Sequence, residues 1–343
     1  MTSRMFKEIH EQPEILTRIL QEEWDRVRTA AHALRAKGFR FVVLVARGTS
    51  DNAALYGKYL FEIRLGILTS LAAPSTFTLY GSEMRLDDVL VIGISQSGES
   101  KDVLEVLRRS HELGASTISI TNSEDSSMAQ VADIHLSLHA GDEESIAATK
   151  TYTAQLLLMY LLVAALGGAE EIEPPVKQLP EQAKRTLETG WEGVARYRYA
   201  EYMTIVSRGY NFATAKEAAL KLMETTYTVA QAFSEADFRH GPMAMIGRGF
   251  PVVLIIPPGR VRQNMRSLAE SLASRDAELV VISDDPDLIR GTPASFVVPS
   301  SLAEELSPIL YALPIQLLAH DLAYLKGLDP DSPRGLSKVT ESW

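Results

Sequence analysis

The 343-residue chain has no cysteine. Disulfides, thiolate metal sites and a cysteine nucleophile are therefore excluded within it. Positive charge is in deficit as well: 34 Lys and Arg stand against 44 Asp and Glu, a net charge of −10. A nucleic acid or an anionic membrane needs a clustered basic surface, so neither is an expected partner. The opening residues, Met1-Thr-Ser-Arg-Met-Phe-Lys-Glu8, lack the apolar core of a secretory signal. The longest apolar stretch read from the sequence, Leu156 to Leu166, is too short to cross a bilayer. These absences point to a cytoplasmic chain. What remains is an ordinary globular composition, 46% hydrophobic and 23% charged, with length enough for two domains.

The most informative stretch is Val89-Leu-Val-Ile-Gly-Ile-Ser-Gln-Ser-Gly-Glu-Ser100. Val89 to Ile94 is rich in β-branched residues and shows no polar alternation, as expected of a strand covered on both faces. Val103, Leu104, Val106 and Leu107 then recur at helical spacing. A strand, tight turn and helix in this order point unpaired backbone N–H groups and the positive end of a helix dipole at one spot. Ser95, Gln96, Ser97 and Ser100 add neutral donors there, and a phosphate is the guest this suits. A serine before a helix ordinarily does no more than cap it. Four such polar groups exceed what one cap requires.

Read in order, Pro13 opens a helix carrying Ile15, Leu16, Ile19, Leu20 and Trp24 on one face. An α/β pattern begins near Phe39: strand 41–46, the turn Arg47-Gly-Thr-Ser50, helix 51–65, strand 68–72, strands 117–120 and 134–138, and helix 150–166. A linker rich in Gly, Glu and Pro, 167–175, follows. Then Met203-Thr-Ile-Val-Ser-Arg-Gly-Tyr210, Val252 to Gly259 and Leu279-Val-Val-Ile-Ser283 repeat the plan, so a whole α/β domain is duplicated. In the second copy Pro257-Pro258-Gly259 replaces the hydroxyl cluster, and only the first copy is expected to hold phosphate. Strands alternating with helices imply parallel sheets with ligands at the carboxyl ends of the strands.

The motifs Arg47-Gly-Thr-Ser50, Ser95 to Ser100, Ile146-Ala-Ala-Thr-Lys150, Glu217-Ala-Ala-Leu-Lys-Leu-Met-Glu224, Arg239-His-Gly-Pro242 and Pro333-Arg-Gly-Leu-Ser-Lys338 resemble the tandem sugar-isomerase-domain (SIS) proteins. Among these they are most similar to the isomerase half of glutamine:fructose-6-phosphate aminotransferase and to the stand-alone deaminases and deglycases. The resemblance implies two tandem SIS domains, each a parallel sheet flanked by helices in a three-layer α/β/α, flavodoxin-like arrangement. The expected division is a helical lead 1–38, a first domain 39–168, a helical linker 169–199, a second domain 200–330 and a tail 331–343 over the active site. No cofactor is implied. The aminotransferase carries a glutaminase domain with a cysteine nucleophile, for which this chain has neither length nor cysteine. Ala148 stands where the synthase has Ser, a pattern similar to that of the deaminases.

The resemblance also implies roles. Thr49, Ser50, Ser95, Gln96, Ser97, Ser100, Ile146 and Ala148 would line the phosphosugar. Glu224 would shuttle a proton between C2 and C1, and Lys221 would position it or hold a sugar oxygen. From spacing alone, Glu217, Lys221 and Glu224 equally suit a solvated ion-pair stripe on one helix face. His240 lies in Phe238-Arg-His-Gly-Pro242, where Gly and Pro favour a turn. A lone histidine is more often structural, but in the family the matching residue opens the sugar ring, often across a subunit boundary, which implies a homodimer. Lys338 would meet the open-chain carbonyl, although a chain end is ordinarily without such a role. His135 and His139 have the spacing of a zinc pair on a helix, but they alternate with Ile134, Leu136 and Leu138 in strand fashion, so no metal is expected.

Two classes of function remain. One is an enzyme converting glucosamine 6-phosphate to fructose 6-phosphate and ammonia, with a fructosamine-6-phosphate deglycase or an ammonia-dependent synthase-like isomerase as variants. The other is a sugar-phosphate-binding regulator. A regulator needs the serine turn but has no use for Glu224, His240 and Lys338, so the enzyme is the favoured expectation.

Overall fold

A computed structural model describes residues 3–300 and 302–338; the final Val339 to Trp343 lie outside the described residues. The chain divides into two compact units. The first comprises Glu14–Glu143, Lys150–Lys177 and residues 337–338, the second residues 3–13, Glu144–Thr149 and Gln178–Leu336.

The first unit is built on the parallel strands β1 (Phe41–Val45), β2 (Thr69–Leu71), β3 (Val89–Ile94), β4 (Ser116–Thr121) and β5 (Ile134–Ser137), in the order β2-β1-β3-β4-β5. Both β3 and β4 are buried along their whole length, which is why β3 carries no polar alternation. Helix Lys101–Glu112 sets Val103, Val106 and Leu107 against Val89, Val91 and Met128. Each such buried side chain stabilises the unit by about 1.5–3 kcal/mol. Helix Lys150–Leu166 is buried on every side, as the continuously apolar Leu156–Leu166 within it requires. The chain leaves β1 toward β2 and leaves β3 toward β4, in opposite directions across the sheet. The turns after β1 and β3 thus flank the topological switch point, where α/β sheets bind ligands.

The second unit repeats the order. Strands β6 (Tyr202–Ser207), β7 (Val229–Ser234), β8 (Pro251–Ile256), β9 (Glu278–Ser283) and β10 (Ala294–Val297) are parallel and run β10-β9-β8-β6-β7. Val206, Val252, Leu254 and Ile256 pack with Met265, Leu268 and Leu272 of helix Arg262–Ala273. Helix Asn211–Thr226 lies along helix Ser307–Leu325, joined by Asn211 Nδ2 to Ser307 Oγ at 2.6 Å.

Three expectations need correction. The first helix spans Arg4–Glu22, so Pro13 lies inside it. A proline there removes an N–H, and Gln12 Nε2 instead reaches Ile9 O at 2.8 Å, the carbonyl that N–H would have used. Trp24 starts a separate helix, Trp24–Lys37. The break falls at Glu23, whose carboxylate is buried and accepts from the Ser137 N–H at 2.9 Å. Finally, although Leu156–Leu166 is unbroken, the interrupted segment 304–325 is the one long and apolar enough to cross a membrane, and 94% of its most apolar 18 residues is buried inside the protein. Its apolar faces are covered by protein.

Candidate active site

The turn after β3 holds its hydroxyls in defined roles. Ser95 Oγ accepts from the Gly98 N–H at 3.1 Å, and Ser97 Oγ accepts from the Glu99 N–H at 3.2 Å. In the turn after β1, Ser50 Oγ accepts from Gln155 Nε2 at 2.9 Å. An oxygen used as acceptor keeps its own proton to offer, so these three hydroxyls can donate to an anion. Gln96, Ser97 and Ser100 are partly exposed, and Thr49, the first residue of helix Thr49–Leu60, is partly exposed too. The two turns belong to neighbouring strands, β1 and β3, so Thr49, Ser50, Ser95, Gln96, Ser97 and Ser100 share one edge of the sheet.

Gly98 makes this turn possible. Its φ is +71°, and a Cβ there would lie 2.4 Å from Ser126 Cβ and Oγ. Gly98→Ala is expected to lower stability by about 1–3 kcal/mol and to raise KM for a phosphorylated sugar with little change in kcat. Thermal melting and steady-state kinetics measure the two effects.

The hydroxyls are not the only polar groups at this turn, which also holds a buried carboxylate. Asp102 is 1% exposed and accepts from Ser100 Oγ at 3.0 Å, from its neighbour Val103 N at 2.9 Å and from Arg47 Nε. Ser100 occupies the N-cap position of helix Lys101–Glu112 without a side-chain capping bond, because its hydroxyl is directed to Asp102.

The matching turns of the second unit are closed by its own carboxylate. Glu304 Oε2 accepts from the Arg260 N–H at 2.6 Å, and a Cβ on Gly259 would meet that oxygen at 2.1 Å. Glu304 Oε1 lies 3.6 Å from the Cβ position of Gly209. Burial pushes the Glu304 carboxyl above its usual range, against the pull of the Arg260 N–H. The second copy thus provides an internal anion where the first offers hydroxyls.

Helix Asn211–Thr226 carries the acid/base candidates. Lys221 Nζ lies 2.6 Å from Glu224 Oε2 and 3.4 Å from Glu217 Oε1. The side chains of Lys221 and Glu217 are 1% and 0% exposed, whereas that of Glu224 is 23% exposed. A solvated ion-pair stripe is therefore ruled out. Glu224 Oε2 is itself buried, so the exposed part of this side chain lies elsewhere on it.

Lys338 is 28% exposed, with Nζ 3.1 Å from Glu143 Oε2. Glu143 is buried and also accepts from Thr151 N at 3.1 Å and Thr151 Oγ1 at 2.8 Å. Sequence reasoning missed Glu143, as it missed Asp102 and Gln155, because nothing in spacing marks a buried carboxylate or amide as a partner. His240 is exposed at the C-terminal end of the short helix Glu235–Arg239, and its ring makes no hydrogen bond or ion pair among the described residues. Ile146 and Ala148 are partly exposed in a segment tied down by Glu8 Oε1, which accepts from Ser145 N at 3.1 Å, and by Gln316 Nε2, which donates to Thr149 O at 3.0 Å.

The histidine pair also departs from expectation. His135 lies on β5, its Nδ1 3.0 Å from Ser119 Oγ, and burial pushes its pKa down. His139 lies beyond the strand with a φ of +47°, its ring bonded to Glu23 at 2.7 Å. The two histidines do not share a strand face. No cluster of three metal-ligating side chains occurs among the described residues.

The SIS-domain family profile matches residues 40–165 and 198–326, one segment for each sheet. The chain belongs to the SIS-domain family. Among curated relatives, the glutamine–fructose-6-phosphate aminotransferases (isomerizing) of Methanothermobacter thermautotrophicus and Aquifex aeolicus are 37% and 35% identical to this SIS protein. The matches cover 97% and 98% of the chain but only 56% and 57% of those relatives. Among solved structures, the C-terminal domain of glucosamine-fructose-6-phosphate aminotransferase from Francisella tularensis superposes with a TM-score of 0.86 at 25% identity, covering 97% of this chain and 98% of that one. A glucosamine-6-phosphate deaminase from Thermotoga maritima shares the fold, with a TM-score of 0.80 at 23% identity and coverage of 99% and 100%.

Proposed function

We propose that this SIS protein is a sugar-phosphate isomerase acting on an amino sugar, and that its reaction is conversion of glucosamine 6-phosphate to fructose 6-phosphate and ammonia. The observation that carries the reading is Glu224: a partly exposed carboxylate with one oxygen held 2.6 Å from a buried ammonium. A positioned carboxylate of this kind suits proton transfer between adjacent carbons. The Ser95 to Ser100 turn and Ser50 hold the phosphate. Once the ring is open, Glu224 takes the C2 proton of the 2-amino aldehyde and returns it at C1. The aldehyde becomes a C1 alcohol and the C2 amine an imine. Water adds to the imine and ammonia leaves, so the overall change is amino sugar phosphate plus water to ketose phosphate plus ammonia. Lys338 meets the C1 oxygen, and His240 opens the ring, in a homodimer from the partner copy.

Ser95→Ala/Ser97→Ala is expected to raise KM for glucosamine 6-phosphate on the order of a hundredfold, since two hydrogen bonds to a charged group are lost. Unchanged KM would move the phosphate elsewhere.

The similarity to aminotransferases favours a second reading, in which the isomerase runs toward amination. This chain has no cysteine with which to draw ammonia from glutamine by a thiolate route. One experiment separates the readings: the pure protein is given glucosamine 6-phosphate in one tube and fructose 6-phosphate with glutamine in another. Ammonia release in the first, and no glucosamine 6-phosphate in the second, is the expected result. Glutamine-dependent synthesis would overturn it, and silence in both would favour a deglycase or a regulator.

A further inference from the structure

We propose that Arg47 is the cationic arm of the phosphate site and that Asp102 is the positioning residue that holds it there. The proposal rests on reading the Ser95 to Ser100 turn as that site. Asp102 is buried in the first turn of helix Lys101–Glu112, while the Arg47 side chain it binds is 52% exposed. Asp102 engages Arg47 through Nε, and among the described residues the terminal nitrogens of the guanidinium make no hydrogen bond, so they keep their donors for a ligand. Arg47 follows β1 and Asp102 follows β3, so this ion pair joins the two turns that carry Ser50 and Ser95.

Charge decides what the pair is for. A phosphate monoester carries about −1.5 to −2 at neutral pH. The helix N-terminus offers roughly +0.5, hydroxyls offer none, and Asp102 adds a buried negative charge beneath the site. Glu99 and Lys101, on either side of Ser100 in sequence, cancel in formal charge. Without Arg47 a dianion would be placed over an uncompensated carboxylate. With Arg47 it meets a planar donor fork whose direction is set from below, the geometry that suits phosphate oxygens. Asp102 also holds the Ser100 proton, so Ser100 contributes by fixing the turn through Asp102.

A double-mutant cycle read by calorimetric titration with inorganic phosphate at fixed ionic strength tests this. Arg47→Gln is expected to weaken phosphate binding about ten- to a hundredfold. Arg47→Lys keeps the charge and recovers part of that loss. The deciding variant is Arg47→Gln/Asp102→Asn, which is expected to bind phosphate more tightly than Arg47→Gln alone, because the repulsive charge is gone. A purely structural staple would give no such recovery. If Arg47→Gln binds as the parent does, or the double variant binds no better than the single, the proposal is overturned. Should Arg47→Gln fail to fold, Asp102→Asn is compared with the double variant, and equal affinities overturn the proposal. If the parent protein itself does not bind phosphate, the reading of the turn as a phosphate site fails first, a result distinct from a parent that binds and variants that match it.

Discussion

Glu224→Gln should abolish solvent deuterium incorporation at C1 of the product and lower kcat by about 10²–10⁴-fold, the range for loss of a positioned general base. KM should change little, because the amide keeps the shape of the carboxylate and the phosphate contacts proposed above lie on other residues. The buried position of Glu224 Oε2 against Lys221 is what makes the expectation specific. A freely moving surface carboxylate would lose little on this substitution. Near-normal turnover of the variant would remove Glu224 from the chemistry.

Lys221→Met is expected to be the most destabilising single change in the site. Its ammonium lies between two carboxylates, and the Glu217 side chain is 0% exposed. Removing one partner from a buried charge cluster costs about 3–5 kcal/mol, because the remaining charge is stranded without solvent. The melting temperature should fall on the order of 10 °C. Adding Glu217→Gln to this variant should recover part of the loss, since one stranded charge disappears. A melting curve unchanged in Lys221→Met would mean that the trio contributes no net electrostatic stability.

The sequence made the sheet centres legible because complete burial leaves a plain mark. The apolar runs at β3 and β8, and the apolar stretch of helix Lys150–Leu166, could be placed from their continuous apolar composition. Edge strand β7 could not, since its mixed exposure carries no alternation. Helix Ser307–Leu325 was concealed by Pro308 and Pro314. Among the candidate residues, the serines could be picked out by chemical type before a helix, and Glu224, Lys338 and His240 by their resemblance to family motifs. The residues that aim them could not be picked out. In sequence Asp102 is one charge in the first turn of a helix and Glu143 one acid among Asp142, Glu143 and Glu144, and what distinguishes each is a tertiary partner distant in sequence, Arg47 for one and Lys338 for the other.

The interleaved division of the chain has a consequence for its synthesis. Residues 14–177 contain every strand of the first sheet and are made before any strand of the second. The second unit has no such head start. Its earliest segment, residues 3–13, is made before both sheets, yet Gln12 Nε2 must find Gln316 Oε1 at 2.8 Å, 304 positions later. Gln316 is also the donor to Thr149 O. Both segments wait for a residue inside helix Ser307–Leu325, so long-range closure, which slows folding, follows the synthesis of both sheets. However quickly the first unit forms on the nascent chain, the unit bearing Glu224 is completed only after that helix has emerged.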